Sequence, residues 1–432
     1  MAISTPASDQ ASSMITIEEA LERVLSGVEV LPAEEKHLIE ALGQVLDEDI
    51  HAGFDIPPLA NTAMDGYAVR SADTAGASPD SPRELQVIGE LAAGRIYQGE
   101  VTAGTAVRIM TGAPLPPGAD AIVPFEETDE SSGLVQSHPR GRIRATGKLS
   151  AAVRVFKEAS QGANVRRAGE DVRVGELVLR RGTVLRPSEI GVIASLGRDR
   201  VRVIRRPVVA VLSTGDELLE PGQPRSGAQI YDANAYSVGA LVDRYGGVPK
   251  LLGIARDSVE ELTAKIHECL AADMLVTSAG VSRGDYDIVK EVLGREGKIA
   301  FCTVAMKPGK PLAFGTFEED GRRVPHIGLP GNPVSSMVAF ELFGRPAILK
   351  MMGKKDLRRP VIRAIAEGRI ANRDDNRVFL ARCIVTERHG QYYVKPTGEQ
   401  GSGMLTSMMH ANGLTIIPAE SMSWKWAMRY RS

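Results

Sequence analysis

Four short stretches of this sequence combine small residues with carboxylates, hydroxyls or lysines, the types that hold and activate charged groups. The first is Ser213-Thr214-Gly215-Asp216-Glu217-Leu218. Gly215 permits a tight turn with exposed backbone N–H groups, and Asp216 or Glu217 can hold a cation or a ribose hydroxyl. An ordinary turn with a helix cap accounts for the same residues. The second runs from Thr277 to Asp287 and contains Ser278, Gly280, Ser282, Asp285 and Asp287. A small-residue loop opening a helix presents N–H groups and a positive dipole end, which suits phosphate. It is neither a Walker loop nor GxGxxG. Asp285 and Asp287 beside a phosphate require a divalent cation between them, unless Asp285 is only a helix cap. The third, Met306-Lys307-Pro308-Gly309-Lys310-Pro311, sets two lysines in a loop stiffened by two prolines. That reads as an anion clamp or as a solvated surface turn. The fourth, Leu329 to Ser336, carries Gly331, Asn332, Pro333 and Ser335 and opens a helix, where N–H groups and Ser335 can receive another anion.

The elements that must position these loops follow from periodicity. From Arg206 onward, apolar β-branched runs alternate with helical spacing: strands near 208–212, 250–254, 274–277, 299–304 and 326–329, and helices near 233–245, 259–269, 286–293 and 334–349. This rhythm predicts a mainly parallel sheet covered by helices, with ligands at the carboxyl ends of its strands. Before it, residues 1–14 read as a disordered leader, 16–26 as a helix and 33–46 as a second amphipathic segment. Residues 55–136 are rich in Gly and Pro with short apolar runs, which predicts a small β domain with long loops. Polar groups inside its turns, Asp65 and Thr111 among them, are explained equally by turn chemistry or by function. Beyond Lys355 the pattern returns to strands near 361–366, 377–385, 392–396 and 413–417.

Composition excludes several classes. A net charge of −2 lacks the positive excess that general nucleic-acid binding needs. The twelve Lys and Arg against four Asp and Glu in 140–186 have a single aromatic, Phe156, among them, so a solvated basic insertion is the plainer reading. Cys269, Cys302 and Cys383 show no metal or disulfide spacing, and no apolar run is long enough to span a membrane. No secretory signal stands at the start, so a cytoplasmic location is expected. The histidines are scattered, which argues against a Ser-His-Asp machine.

The motifs, in their order, resemble one family. Asn61–Val69 (NTAMDGYAV), Arg108–Asp120 (RIMTGAPLPPGAD), Ala168–Val172 (AGEDV), Ser213–Leu218 (STGDEL), Thr277–Asp287 (TSAGVSRGDYD), Met306–Gly315 (MKPGKPLAFG) and Leu329–Ser336 (LPGNPVSS) are similar to the molybdopterin molybdenumtransferases. These are the MoeA-like proteins, related to the E domain of gephyrin. The resemblance implies a multidomain α/β plus β fold. Its expected parts are a discontinuous helical and linker domain (1–54 with 151–186), an inserted β domain (55–150), an α/β molybdopterin-binding domain (187–350) and a C-terminal β-barrel (351–432). It implies a homodimer that takes adenylylated molybdopterin and molybdate and releases AMP and molybdenum cofactor. A pterin adenylyltransferase and downstream molybdoenzymes are the implied further partners.

By the same resemblance, Ser213, Thr214, Gly215, Asp216, Ser278, Gly280, Gly331, Asn332 and Pro333 hold the pterin and adenylate. Lys310, Pro311, Ser335, Arg382 and Ser402 hold molybdate. Glu217, Asp285 and Asp287 hold Mg2+, which offsets the repulsion between carboxylates and diphosphate. Asp65, Thr111, Glu217, Asp257, Ser282, Asp287, Lys307 and Lys310 are the implied catalytic set, with Asp65 and Thr111 offered across the dimer. The chemistry implied is electrostatic positioning and metal assistance, without a covalent intermediate. Ala279, Arg283 and Thr303 depart from the family pattern, and the tail from Met422 lacks its usual last strand. A pterin adenylyltransferase relative would need only the α/β domain, and a receptor-clustering scaffold would need partner surfaces that this sequence does not display.

Overall fold

The computed structural model describes residues 14–130, 152–256, 258–279, 288–319, 321–368, 372, 376–419 and 426–429. The chain divides into two compact units, one of Glu48–Arg181 with Pro187–Asp199, the other of Met1–Asp47, Gly182–Arg186 and Arg200–Ser432.

The first unit is built on a five-stranded sheet. Strands β1 (Gly66–Val69), β2 (Arg83–Leu91), β3 (Thr105–Ile109), β4 (Ala121–Pro124) and β5 (Ala152–Val155) lie in the order β4-β1-β3-β2-β5. Side chains alternate across it as the pleat requires. Tyr67 and Val69 enter one apolar cluster with Leu85, Val123 and Val155, while Ala68 enters another with Val107, Ile109 and Ile122. Gly66 is needed where β1 crosses β4, because a Cβ there would come within 2.1 Å of the Val123 carbonyl oxygen.

The second unit begins with α1 (Ile17–Ser26). Thr16 caps it, its Oγ1 accepting from the Glu19 N–H at 3.1 Å, and Glu18 and Glu19 complement the dipole in the first turn. Ala20 and Val24 bury the inner face. The amphipathic segment expected over 33–46 is not one element. Ala33–His37 pairs antiparallel with Arg200–Ile204, and Leu38–Ala41 forms a 3₁₀ turn. Pairing with a neighbouring strand overrides the weak β propensity of Ala-Glu-Glu-Lys-His.

Besides the short parallel pair Leu218–Leu219 and Ile230–Tyr231, seven strands follow: β6 (Val208–Thr214), β7 (Val248–Ala255), β8 (Met274–Ser278), β9 (Gly297–Thr303), β10 (Met306–Lys307), β11 (Pro311–Glu319) and β12 (Arg322–Leu329). Six form a sheet in the order β7-β6-β8-β12-β11-β9. β7, β6, β8 and β12 are parallel, and β11 and β9 add on antiparallel, so the sheet is mixed in the expected sense. Helices α2 (Ala233–Arg244), α3 (Val259–Cys269), α4 (Ile288–Glu296), α5 (Pro333–Ala339) and α6 (Arg345–Met351) cover it. Val209, Val211, Val276 and Ile327 pack with Val238 of α2 and Val338 of α5, while Ala210, Leu212 and Leu275 pack with Leu262 and Ile266 of α3. Both faces are therefore buried, as a parallel sheet demands.

The single helix expected over 334–349 is interrupted. Phe340–Gly344 is a π-helical turn between α5 and α6. Pro346, in the first turn of α6, cannot donate an N–H to the preceding turn, which is a direct reason for the change of pitch.

The remaining strands are β13 (Val361–Arg363), β14 (Ile365–Ala366), β15 (Val378–Arg388), β16 (Gln391–Pro396), β17 (Gly413–Ile417) and β18 (Trp426–Arg429), in the order β13-β18-β17-β15-β16-β14. The two edge strands are successive pieces of chain separated only by Ala364, so the sheet must curl until its edges meet, as a barrel does. The tail from Met422, which departs from the family's last-strand pattern, nevertheless supplies β18 between β13 and β17. Among the described residues, no helix is long and apolar enough to cross a membrane.

Candidate active site

The lysine loop joins the sheet to the barrel. Met306 and Lys307 of β10 pair in parallel with Val378 and Phe379 of β15. The Lys307 ammonium lies 5.4 Å from the centre of the Phe379 ring, a cation–π distance. The Lys310 carbonyl accepts from the Val304 N–H at 2.8 Å, closing the loop. Gly309 sits at φ +97°, and a Cβ there would come 2.7 Å from Met306 Cε. The loop after β12 is fastened to the barrel as well, through the Val334 N–H, which donates to the Ser402 carbonyl at 3.1 Å.

These attachments enclose a cleft of about 510 Å³ lined by Lys307, Lys310, Pro311, Gly331, Asn332, Ser335 and Ser402, together with Ala279, Arg377, Gln400 and Gly401. Lys310 is exposed within it and Ser335 is buried in its wall. Arg382 of β15 stands behind Gln400 and Gly401. Its side chain is fully buried, Nε donates to Ser407 Oγ at 3.0 Å and one terminal nitrogen donates to the Gly401 carbonyl at 2.9 Å. The other, Nη1, has no hydrogen-bond partner among the described residues. Burial without a carboxylate pushes this guanidinium down to about 10, which leaves it a cation at neutral pH. A buried cation with an unused donor, behind the wall of a cleft lined by two lysines, is suited to an oxyanion.

The STGDEL loop lies at the carboxyl end of β6. Ser213 and Thr214 are buried, and Asp216 and Glu217 are exposed. Gly215 adopts φ +141°, and a Cβ there would come 2.5 Å from Glu217 Oε2, so the Glu217 carboxylate folds back over the turn. Arg256 braces the turn from below by donating to the Asp216 carbonyl at 3.0 Å. Ser278 ends β8 and Ala279 follows it. Ala279 has φ +77°, a left-handed conformation that costs a residue with a Cβ about 1 kcal/mol or more. The loop residues of β6 do not line the lysine cleft; Ser278 is tied to it through Asn234, whose Nδ2 donates to Ser278 Oγ and to the Gly331 carbonyl, each at 2.7 Å. Pro333 occupies the first turn of α5.

In the other unit, Asp65 Oδ1 accepts from the Thr111 N–H at 2.6 Å and from its hydroxyl at 2.7 Å. The two bonds hold the Asp65 carboxyl below its usual range. Asp257, Gly280, Ser282, Asp285 and Asp287 lie outside the described residues, as does Arg283. Thr303 ends β9 opposite Pro311.

Reading the loops directly after strands passed over Asn234, Arg377, Gln400 and Ser407. Asn234 follows the helix cap Asp232 and so reads as helix start; only its reach across to two other loops distinguishes it. No motif signals Gln400 and Ser407, which matter through contact with Arg382.

An open α/β sheet with charged loops at its carboxyl edge, extended by a barrel that completes a lysine-lined cleft, is the arrangement of a multidomain protein suited to anionic ligands. Residues 15–197 match the MoeA N-terminal region (domain I and II), residues 210–350 a probable molybdopterin binding domain, and residues 363–423 the MoeA C-terminal region (domain IV). Molybdopterin molybdenumtransferase 2 of Mycobacterium tuberculosis is 38% identical over 390 residues, which are 89% of this chain and 90% of that protein. The molybdopterin molybdenumtransferase of Haemophilus influenzae is 36% identical over 414 residues, 94% of this chain and 95% of its own length. A crystal structure of a molybdopterin biosynthesis MoeA protein from Pyrococcus horikoshii matches 97% of this chain and 100% of its own, with a TM-score of 0.76 and 29% identity. The chain belongs to the molybdopterin molybdenumtransferase family.

Proposed function

We propose that the chain inserts molybdate into adenylylated molybdopterin, releasing AMP and molybdenum cofactor. The observation that supports this reading best is the cation set around one cleft: Lys307 and Lys310 on a closed loop, with Arg382 buried behind it and one nitrogen unused. A small tetrahedral dianion needs such compact, preorganised donors. In this reading Lys310, Pro311, Ser335, Ser402 and Arg382 hold molybdate, with Lys307 beside them. Ser213, Thr214, Gly215, Asp216, Ser278, Gly280, Gly331, Asn332 and Pro333 hold the pterin adenylate. Ser282 and Asp257 serve the same reaction from segments outside the described residues. The chain's own contribution is to orient two anions against each other and to exclude water, without a covalent step.

Magnesium is the proposed counter-ion, with Glu217, Asp285 and Asp287 as its oxygen ligands. Glu217 is the one of the three among the described residues, and its exposed carboxylate is of the right chemical type. Bound there, the ion would neutralise the diphosphate. The working form in this reading is a cytoplasmic homodimer, to which one subunit brings the Asp65–Thr111 turn for the other's cleft. A pterin adenylyltransferase supplies its substrate and molybdoenzymes take its product.

The direct test incubates the purified protein with adenylylated molybdopterin and molybdate, and follows both AMP release and reconstitution of a molybdenum-free molybdoenzyme. Molybdate-dependent appearance of both is expected, with tungstate in parallel reporting selectivity. AMP released at the same rate without molybdate, and no reconstitution, would reject the reading.

A further inference from the structure

The loops after β8 and β12 are held together by a residue that belongs to neither. Asn234 is the second residue of α2, whose start is fixed by Asp232; Oδ1 of that cap accepts from the N–H groups of Asn234 at 3.1 Å and Ala235 at 3.0 Å. From this fixed point the Asn234 amide spends both of its hydrogens across the cleft edge, one on Ser278 Oγ and one on the Gly331 carbonyl. The orientation of the amide is settled by chemistry. A carbonyl oxygen only accepts, so nitrogen must face Gly331, and Oδ1 is left buried without a partner among the described residues.

The direction of the Ser278 bond follows. Because Asn234 donates to its oxygen, Ser278 must point its own hydrogen elsewhere, and no acceptor for it lies within hydrogen-bond distance among the described residues. Ser278 is 2% exposed and adjoins Ala279, which lines the cleft, while Gly331 lines the facing wall. A Cβ on Gly331 would lie 3.4 Å from Ala279 Cβ, so the gap between the two loops at this point is about one methyl group wide. Leaving Oδ1 unpaired is unfavourable, and the fold tolerates it where it fixes two loops and one hydroxyl at once.

We propose that Asn234 is a positioning residue for the anionic pterin substrate: it sets the spacing of the Ser278 and Gly331 loops and holds the Ser278 hydroxyl as a donor toward a substrate oxygen. This rests on the function proposed above. Asn234→Asp keeps the shape and replaces the donors with an acceptor facing the Gly331 carbonyl; Asn234→Ala removes them.

The experiment measures binding of adenylylated molybdopterin without molybdate, the requirement for each substrate in turnover, and the melting temperature. For Asn234→Asp, pterin binding weakens about tenfold or more, as expected for two lost hydrogen bonds, and the molybdate requirement stays within about twofold. Ser278→Ala weakens it as well, and costs nothing further in the Asn234→Ala background. Wild-type pterin affinity in Asn234→Asp, or equal losses for both substrates with a lowered melting temperature, overturns the inference. Should Asn234→Asp fail to fold, Ser278→Ala decides: undiminished affinity overturns it. A wild-type chain that neither binds nor converts the adenylylated pterin overturns the functional reading, and this inference with it.

Discussion

Arg382 is a cation buried where the described residues offer it a hydroxyl and a carbonyl but no carboxylate. Desolvating a charge without pairing it costs several kcal/mol in general, so such a residue is poorly explained by stability alone. Replacing it by Met, of similar length and no charge, should leave the fold as stable or raise stability by about 1 kcal/mol. The same change should increase the molybdate requirement about tenfold or more, since a charge-assisted bond is removed from the oxyanion. Thermal melts and steady-state titration of molybdate check the two halves separately. A variant that melts far below the wild type and handles molybdate normally would make Arg382 a structural residue. Asp65 shows the opposite balance: its charge is exposed enough to be hydrated, and the Thr111 bonds both fix its direction and favour its charged form.

Between strands β8 and β12, His326 is buried with Nε2 3.0 Å from Thr277 Oγ1 and its ring edge-on to Phe317. Burial pushes its pKa from the ordinary 6.5 down to about 3, so the folded chain keeps it neutral. The unfolded chain binds a proton there below pH 6.5. Its contribution to stability is therefore full above 6.5 and is lost progressively as the pH falls toward 3. Urea unfolding at pH 7 and pH 5 should show a larger loss for the wild type than for His326→Gln; equal losses would exclude His326 as the cause. The strand and helix rhythm that carries this sheet was legible because its apolar runs are strongly periodic, and the loops at its carboxyl edge were legible by residue type. Other elements were not. β11 starts on Pro311 and contains Gly315, poor strand residues both, yet a Cβ at Gly315 would come 2.1 Å from the Lys298 carbonyl, so the close approach to β9 demands glycine. The π turn at Phe340–Gly344 keeps a helical pattern of apolar residues and is invisible to periodicity. Asn234 reaches partners far along the chain, which no local pattern encodes, and Arg382 was named only through the family resemblance, its contacts with Gly401 and Ser407 being equally distant.

At the scale of the whole molecule, the proposed homodimer makes a prediction that no single subunit could satisfy. A subunit inactivated by Asp65→Ala and one inactivated by Lys310→Ala should complement each other if each cleft draws on both chains. After unfolding and refolding an equal mixture, half of the dimers are mixed and each holds one intact cleft, so about a quarter of wild-type cofactor formation should return. No recovery, with mixed dimers demonstrated by mass, would confine each cleft to one subunit.

The barrel's seam has a practical corollary. Residues 426–429 fill the gap between β13 and β17, and β15 in the same sheet carries both Arg382 and the pairing partners of the lysine loop. A protein ended prematurely near residue 419 would bare two sheet edges, inviting self-association, and would slacken the wall of the lysine cleft. Extensions fused to the final residue put that same closure at risk, so an affinity handle is better carried at the other terminus.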